Sequence, residues 1–283
     1  MGTRLHLAAA LHATGEEAFT ATHWADLVRE AEHGTLDFVT FGDSLGGAPG
    51  LDAVLTAARV APLTTHVGLV PTAVVTHTEP FHLSKAIATL DYVSRGRAGV
   101  ELVVAPDPAD ARHFGRRGVG PEPELWEEAR DYAEVLRRLW DSWEDDAEIR
   151  DEATGRFVDR EKLHYIDFEG RWFSVRGPSI TPHPPQGHPL IAASEPLGDI
   201  VFGDDPSVPD RLVFRDADAS ASAGQFAAWH AEGFAGFRLH GDLRRITREL
   251  VPELRERGLF RTSYEETTLR GRLGLARPAN QFA

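Results

Sequence analysis

HVGLVPTAVVTHTEPFHLSKAIATLDYVSRGRAGVELVV, residues 66–104, reads as strand, helix, strand. His66–Pro71 is a short apolar run of strand length, and Ala98–Val104 is a second. Between them Leu83, Ile87 and Leu90 recur at three- and four-residue steps, which places them on one helix face. Thr78 is positioned to cap that helix and Pro80 falls in its first turn. Two strands joined by a helix of this length pair in parallel, because only a crossover returns the chain to the same sheet edge.

The same unit repeats on both sides. Leu5–Leu11 and Leu36–Phe41 read as strands. Trp24, Leu27, Val28 and Ala31 mark the helix between them, and a second helix runs from Leu51 to Ala61, ended by Pro62. Trp126, Ala129, Ala133, Leu136 and Trp140 define a long fourth helix. Four such units before residue 145 fit a barrel or a doubly wound sheet. No GxGxxG follows the first strand, which weakens the dinucleotide-binding option.

The middle of the chain departs from this rhythm. Asp141–Lys162 is charged and reads as loop or frayed helix. Tyr165–Phe168 and Trp172–Val175 flank Glu169-Gly170-Arg171 as a β-hairpin, and a proline-rich connector leads to a fifth strand at Pro189–Ala193. Asp199–Phe202 and Arg211–Phe214 look like strands, but the gaps before each are too short for a helical crossover. Either these strands pair antiparallel or the barrel is incomplete here. A helix with Phe226 and Trp229, a last strand at Gly236–Leu239, and a helix with Ile246, Leu250, Val251 and Leu254 complete the pattern, with Gly258 as its C-cap. The chain thus reads as one domain over 1–283, with an insertion at 141–188 and a shortened segment at 195–223.

Composition narrows the function. The formal charge is −14, which repels phosphodiester backbones and anionic membranes alike. No apolar run approaches the roughly 20 residues that span a bilayer. Leu5–Leu11, broken by His6, reads as a strand rather than a signal peptide. There is no cysteine, so thiolate nucleophiles and thiolate metal sites are excluded. These features point to a soluble cytoplasmic protein without nucleic-acid or membrane partners.

Longer motifs carry a family likeness. Phe81–Gly99, Leu139–Glu144, Ile166–Gly170, Phe173–Pro178, Pro184–Gly187, Arg257–Arg261 and Arg277–Asn280 resemble the luciferase-like flavin-dependent monooxygenases. The nearest branch contains the nitrilotriacetate and dibenzothiophene-sulfone monooxygenases. The resemblance covers residues 1–190 and 224–283. It implies a TIM-type (β/α)8 barrel, reduced FMN as cosubstrate, a flavin reductase that supplies it, a small organic substrate, and a homodimer. Trp126, Trp140 and Trp143 offer more apolar area than one helix stripe needs, which favours that dimer.

In such barrels ligands sit at the carboxyl ends of the strands. His12 and His77 fall there and are the candidate catalytic residues, since a histidine near neutral pKa can donate or accept a proton. The duller reading of each is a solvent-facing loop histidine. The candidate flavin contacts carried by the resemblance are Asp43, Ser44, Thr72, Glu101, Ala105, Trp126 and Ser194. Several depart from the family pattern. Glu101, Val104 and Ala105 stand where the family has Asn followed by Thr-Ser. Trp126 replaces a phosphate-contacting tyrosine, and Ala193-Ser194-Glu195 replaces a phosphate-binding Gly-Ser-Ser. Glu101 inside a barrel needs a partner, and Arg238 is the candidate cation. The alternative function is a degenerate barrel without oxygenase activity, serving as a flavin- or ligand-binding or structural protein.

Two other chemistries compete weakly. Gly42-Asp43-Ser44-Leu45-Gly46 matches the G-x-S-x-G of a hydrolase elbow, with Asp110 and His113 as possible partners, but their chain positions do not suit that family. The thirteen histidines include the pairs His77/His82 and His183/His188, without an HExxH or facial-triad spacing.

Overall fold

The computed structural model describes residues 4–13, 15–47, 49–115 and 117–283. The first three residues, Met1-Gly2-Thr3, lie outside that set. Eight parallel strands form a closed barrel. They are β1 (His6–Leu11), β2 (Phe38–Phe41), β3 (Gly68–Val74), β4 (Gly99–Val103), β5 (Leu190–Ala193), β6 (Ile200–Phe202), β7 (Leu212–Asp218) and β8 (Gly236–His240). Each pairs with its neighbour in sequence, and β8 closes on β1 with His6 opposite Gly236.

The helices α1 (Ala21–His33), α2 (Ala53–Val60), α3 (Pro80–Ser94) and α4 (Glu122–Asp141) follow the first four strands. α5 (Ala223–Ala231) precedes β8. A closing helix is continuous through Leu243–Arg245, a π-turn at Ile246–Leu250, and Val251–Glu256. Thr78 does not cap α3: its hydroxyl donates back to the carbonyls of Val74 and Val75, and Glu79 holds the cap position without capping the helix through its side chain. Asp52 caps α2, accepting from the Leu55 amide at 2.7 Å.

The expectation that the barrel is incomplete or antiparallel near its sixth and seventh strands is corrected. β5, β6 and β7 pair in parallel, Ile200 against Ala192 and Leu212. What is lost is the helical layer. The links 194–199 and 203–211 return to the amino end of the sheet without a helix. The first succeeds because Gly198 lets the chain fold tightly onto β5. A β-carbon there would sit 2.2 Å from the Ile191 carbonyl oxygen. The usual dozen-residue crossover is a requirement of the helix and not of the parallel ladder itself.

The barrel interior carries Phe38, Val70, Ile200, Phe202 and Phe214, and Leu269 and Leu273 from the C-terminal segment plug its amino end. The insertion holds two hairpins. Phe168–Glu169 pairs with Ser174–Val175 as expected, whereas Glu148–Asp151 pairing with Arg156–Val158 replaces the expected loop or frayed helix. Trp140 and Trp143 are buried within this fold, donating to the carbonyls of Ser84 and Ser179. Their apolar area is therefore spent internally and does not argue for a dimer.

Candidate functional site

Two rows of polar side chains meet inside the carboxyl end of the barrel. Register sets them: Thr72 of β3 lies beside Glu101 of β4, and Asp216 of β7 beside Arg238 of β8. Thr72 donates to Glu101 at 2.9 Å. Arg238 donates to Asp216 through Nε at 2.6 Å and through a terminal nitrogen at 2.8 Å. Its other terminal nitrogen reaches Glu101 at 2.7 Å. β4 and β8 stand opposite each other in the ring, so this bond crosses the lumen. The expected Glu101–Arg238 pairing is present, and sequence reasoning missed Asp216 as its third member. Phe202 closes the arrangement from β6, its ring centroid 3.7 Å from the guanidinium carbon. Burial would raise the Asp216 carboxyl, but hydrogen bonds from Arg238 and His240 hold it well below the usual range.

His12 extends this network at the end of β1. Its ring stacks on His240 at 5.9 Å, and His240 bonds Asp216 at 2.6 Å. Burial, then the charges of His240 and Arg238, lower the His12 pKa. The imidazole is therefore neutral at physiological pH and can accept a proton.

A separate cavity of about 620 Å³ opens on the β3 side, lined among others by Asp43, Thr72, His77, Phe114 and Tyr132. His77 takes a left-handed backbone, φ 69°, and stacks on Phe114 at 5.4 Å. Both its ring nitrogens are buried, and among the described residues neither has a hydrogen-bond partner. Burial first, and Arg117 second, push its pKa down. His77 thus combines a backbone conformation that costs energy with a polar ring whose bonding capacity the described residues leave unused.

The expected site residues do not converge on one place. Asp43, Thr72 and His77 share the 620 Å³ cavity. His12 lines a different one of about 720 Å³, between β1, α1 and the closing helix. Asp43 is engaged by its own loop, accepting from the amides of Ser44 at 2.8 Å and Ala53 at 3.0 Å. Ser44 is exposed and donates to the Gly46 carbonyl rather than to a histidine, which removes the hydrolase option. The Ala105 amide donates to Thr76 at 3.0 Å. Trp126 is half-buried against the α3–α4 core, and Ser194 is exposed. Phe114 and Tyr132 were missed. Their aromatic character was legible, but their approach to β3 is a tertiary fact. Among the described residues no group of three or more His, Asp or Glu is arranged to hold a metal ion.

The geometry suits one half of a flavin and not the other. The cavity is lined mainly by apolar and aromatic side chains with His77 as a polar edge, a setting for a planar ring. A phosphate finds no such fit. Among the described residues the cavity's charged lining is acidic, Asp43, Asp52 and Glu79, with no lysine or arginine. After β5 no helix presents its amino end, and Glu195 follows Ser194 there.

Comparisons with known proteins match this architecture. A family model for the luciferase-like monooxygenases matches residues 3–197. The chain is 38% identical over 189 residues to nitrilotriacetate monooxygenase component A of Aminobacter aminovorans, covering 60% of this chain and 42% of that protein. It therefore spans less than half the length of that relative. It is 31% identical over 274 residues to a pristinamycin IIA synthase subunit of Streptomyces pristinaespiralis, covering 90% of each. The crystal structure of the long-chain alkane monooxygenase LadA superposes with a TM-score of 0.88, over 97% of this chain and 96% of that one, at 19% identity. At that identity the likeness establishes the fold.

Proposed function

The chain belongs to the luciferase-like monooxygenase family, and from that premise we propose that it serves a flavin-dependent oxygenation of a small organic substrate, fed with reduced FMN by a separate flavin reductase. One observation carries the reading. The cavity at the carboxyl edge of β3 holds His77 with two unspent ring nitrogens beside an aromatic wall. Flavin bound there would supply the oxygen-activating chemistry. The protein's own part is to seat a planar ring against Phe114 and Tyr132, offer His77 as hydrogen-bond partner, and exclude water. Thr72, held by Glu101, fixes the inner edge. His12, neutral and stacked on the Asp216-bound His240, can take up a proton at the mouth.

A second reading has its own support. The chain is a companion protein that does not itself hold FMN. The Arg238–Glu101 bond across the lumen, the acidic cavity lining and Glu195 after β5 all disfavour a phosphate dianion. The relative matched over 90% of both lengths is named as one subunit of a synthase. No described helix is long and apolar enough to cross a membrane, which suits either reading. A homodimer remains part of the first reading.

Titration of the purified protein with FMN, followed by oxygen uptake on addition of reduced FMN, separates the two. Saturable binding with substrate-dependent oxygen uptake supports the oxygenase. Absence of both, with activity restored only on adding a larger family member, supports the companion protein.

A further inference from the structure

The amino-terminal face of the barrel, opposite the candidate site, contains a cavity of about 770 Å³. It lies where β1, β7 and β8 begin and where the C-terminal segment 261–274 crosses them, and that segment contributes Arg261 and Arg272. Arg4 and Arg211 stand at its rim. In a chain of formal charge −14 this gathering of four arginines is a local reversal of sign.

The two inner arginines are over nine-tenths buried and incompletely used. Arg261 donates through one terminal nitrogen to Asp37 at 2.5 Å, and its other terminal nitrogen has no partner among the described residues. Arg272 donates through one terminal nitrogen to the Asp37 backbone carbonyl at 2.8 Å, and its Nε and second terminal nitrogen have no partner among the described residues. Among the described residues three buried guanidinium nitrogens are thus unpartnered in one place, where buried donors are almost always paired. The Asp37 carboxylate is bonded by Arg261 and His6, while Arg272 reaches the Asp37 backbone carbonyl instead. Burial is the first cause that lowers the Arg272 pKa; Tyr264 and Asp37 oppose it, and Arg261 adds to it.

We propose that this cavity is an oxyanion site, taking inorganic phosphate or a phosphate monoester. A tetrahedral oxyanion presents several acceptors to a guanidinium fork and supplies the missing negative charge. Glu265 and Glu266 line the same cavity, and Glu265 is paired to Arg4 at 3.0 Å. They set the limit on affinity. His230 and Phe234 line the same cavity and would border an organic group on the ester. This site is independent of the flavin reading, since it lies at the other end of the strands.

The test uses the full chain, with inorganic phosphate and phenyl phosphate as probes, read by calorimetric titration and thermal unfolding against chloride at equal ionic strength. Wild type is expected to bind at least one of them and to gain thermal stability over the chloride control. Arg4→Gln and Arg211→Gln change exposed side chains and leave the fold intact. Each is expected to weaken binding about threefold or more, as loss of a charge-assisted contact does, while Glu266→Gln tightens it. Phenyl phosphate alone binding assigns the site to an ester, and equal binding assigns it to the phosphate group. Identical behaviour in phosphate and chloride, or affinity unmoved by the rim variants, overturns the proposal.

Discussion

Arg238 on β8 and Glu101 on β4 touch at 2.7 Å across the full width of the barrel, with both side chains largely withdrawn from water. The bond ties opposite walls of the ring together and decides how deep a ligand can descend. Thr72, bonded to Glu101, lines the cavity that holds His77 on the β3 side of this pair. The pair makes the mouth of this barrel a floor rather than a well.

Replacing one partner leaves the others buried and uncompensated. Arg238→Met is expected to cost about 3–5 kcal/mol, because Glu101 and Asp216 both lose their cation. Glu101→Gln keeps a hydrogen bond to Thr72 and Arg238 and is expected to cost roughly 1 kcal/mol. Urea unfolding of the two variants gives the comparison; equal losses would refute the assignment of Arg238 as the hub.

Replacing His77 is expected to weaken binding while leaving stability nearly unchanged. His77→Gly relieves the left-handed backbone at φ 69° and removes a ring that makes no hydrogen bond among the described residues. Stability is expected to stay within about 1 kcal/mol of wild type, since relief of strain offsets the lost stacking. Retention of flavin or substrate is expected to fall about tenfold. A large loss of stability with unchanged ligand binding would assign His77 to packing alone.

The phosphate position can be probed by restoration. Glu195→Ser removes a carboxylate from the link that follows β5. If the FMN phosphate is to lie there, affinity rises about tenfold, the scale of one relieved like-charge contact at a partly solvated site. Fluorescence titration reads it directly, and no change would favour the companion-protein reading.

The short link between β5 and β6 depends on Gly198. Gly198→Ala places a methyl group against the Ile191 carbonyl and is expected to cost about 2–3 kcal/mol by backbone displacement. A drop in melting temperature without loss of secondary structure is the expected signature. A neutral outcome would mean that the link has another conformation.

Acid stability has a defined sign. Burial would raise the Asp37 carboxyl, but the charges of His6 and Arg261 outweigh it and bring the pKa down to about 2. A depressed carboxylate contributes stability above its unfolded pKa near 4 and loses that contribution as pH falls toward about 2. Unfolding free energy should therefore decline across that window, and Asp37→Asn should flatten the decline while lowering stability at neutral pH. A variant that retains the full acid slope would assign the effect to other carboxylates.

The first four strand–helix units are legible in the sequence because each obeys a local periodicity. Leu83, Ile87 and Leu90 step along one helix face, and the apolar runs flanking them are too short for helices. The links at 194–199 and 203–211 mislead for a physical reason. The usual crossover length is that of the helix that fills it, whereas a glycine with no β-carbon lets six residues make the first return. The hairpin at Glu148–Asp151 and Arg156–Val158 is hidden by its charge, since neither of its faces is deeply buried and no alternation is imposed. Trp140 and Trp143 read as apolar surface, but Ser84 of α3 and Ser179 of the insertion, which bond them, lie far along the chain.

The amino-acid sequence by itself determined the class of fold, the family likeness, the acidic balance and the need of Glu101 for a cation. These follow from periodicity, composition and the cost of burying charge, all readable within a few turns of chain. Only the tertiary structure decided that Arg238 spans the lumen, that His12 and His77 face different cavities, and that Arg261 and Arg272 converge on Asp37 at the opposite end. Those relations join residues separated by many strands, and barrel closure fixes them by register and diameter, quantities that no local stretch encodes.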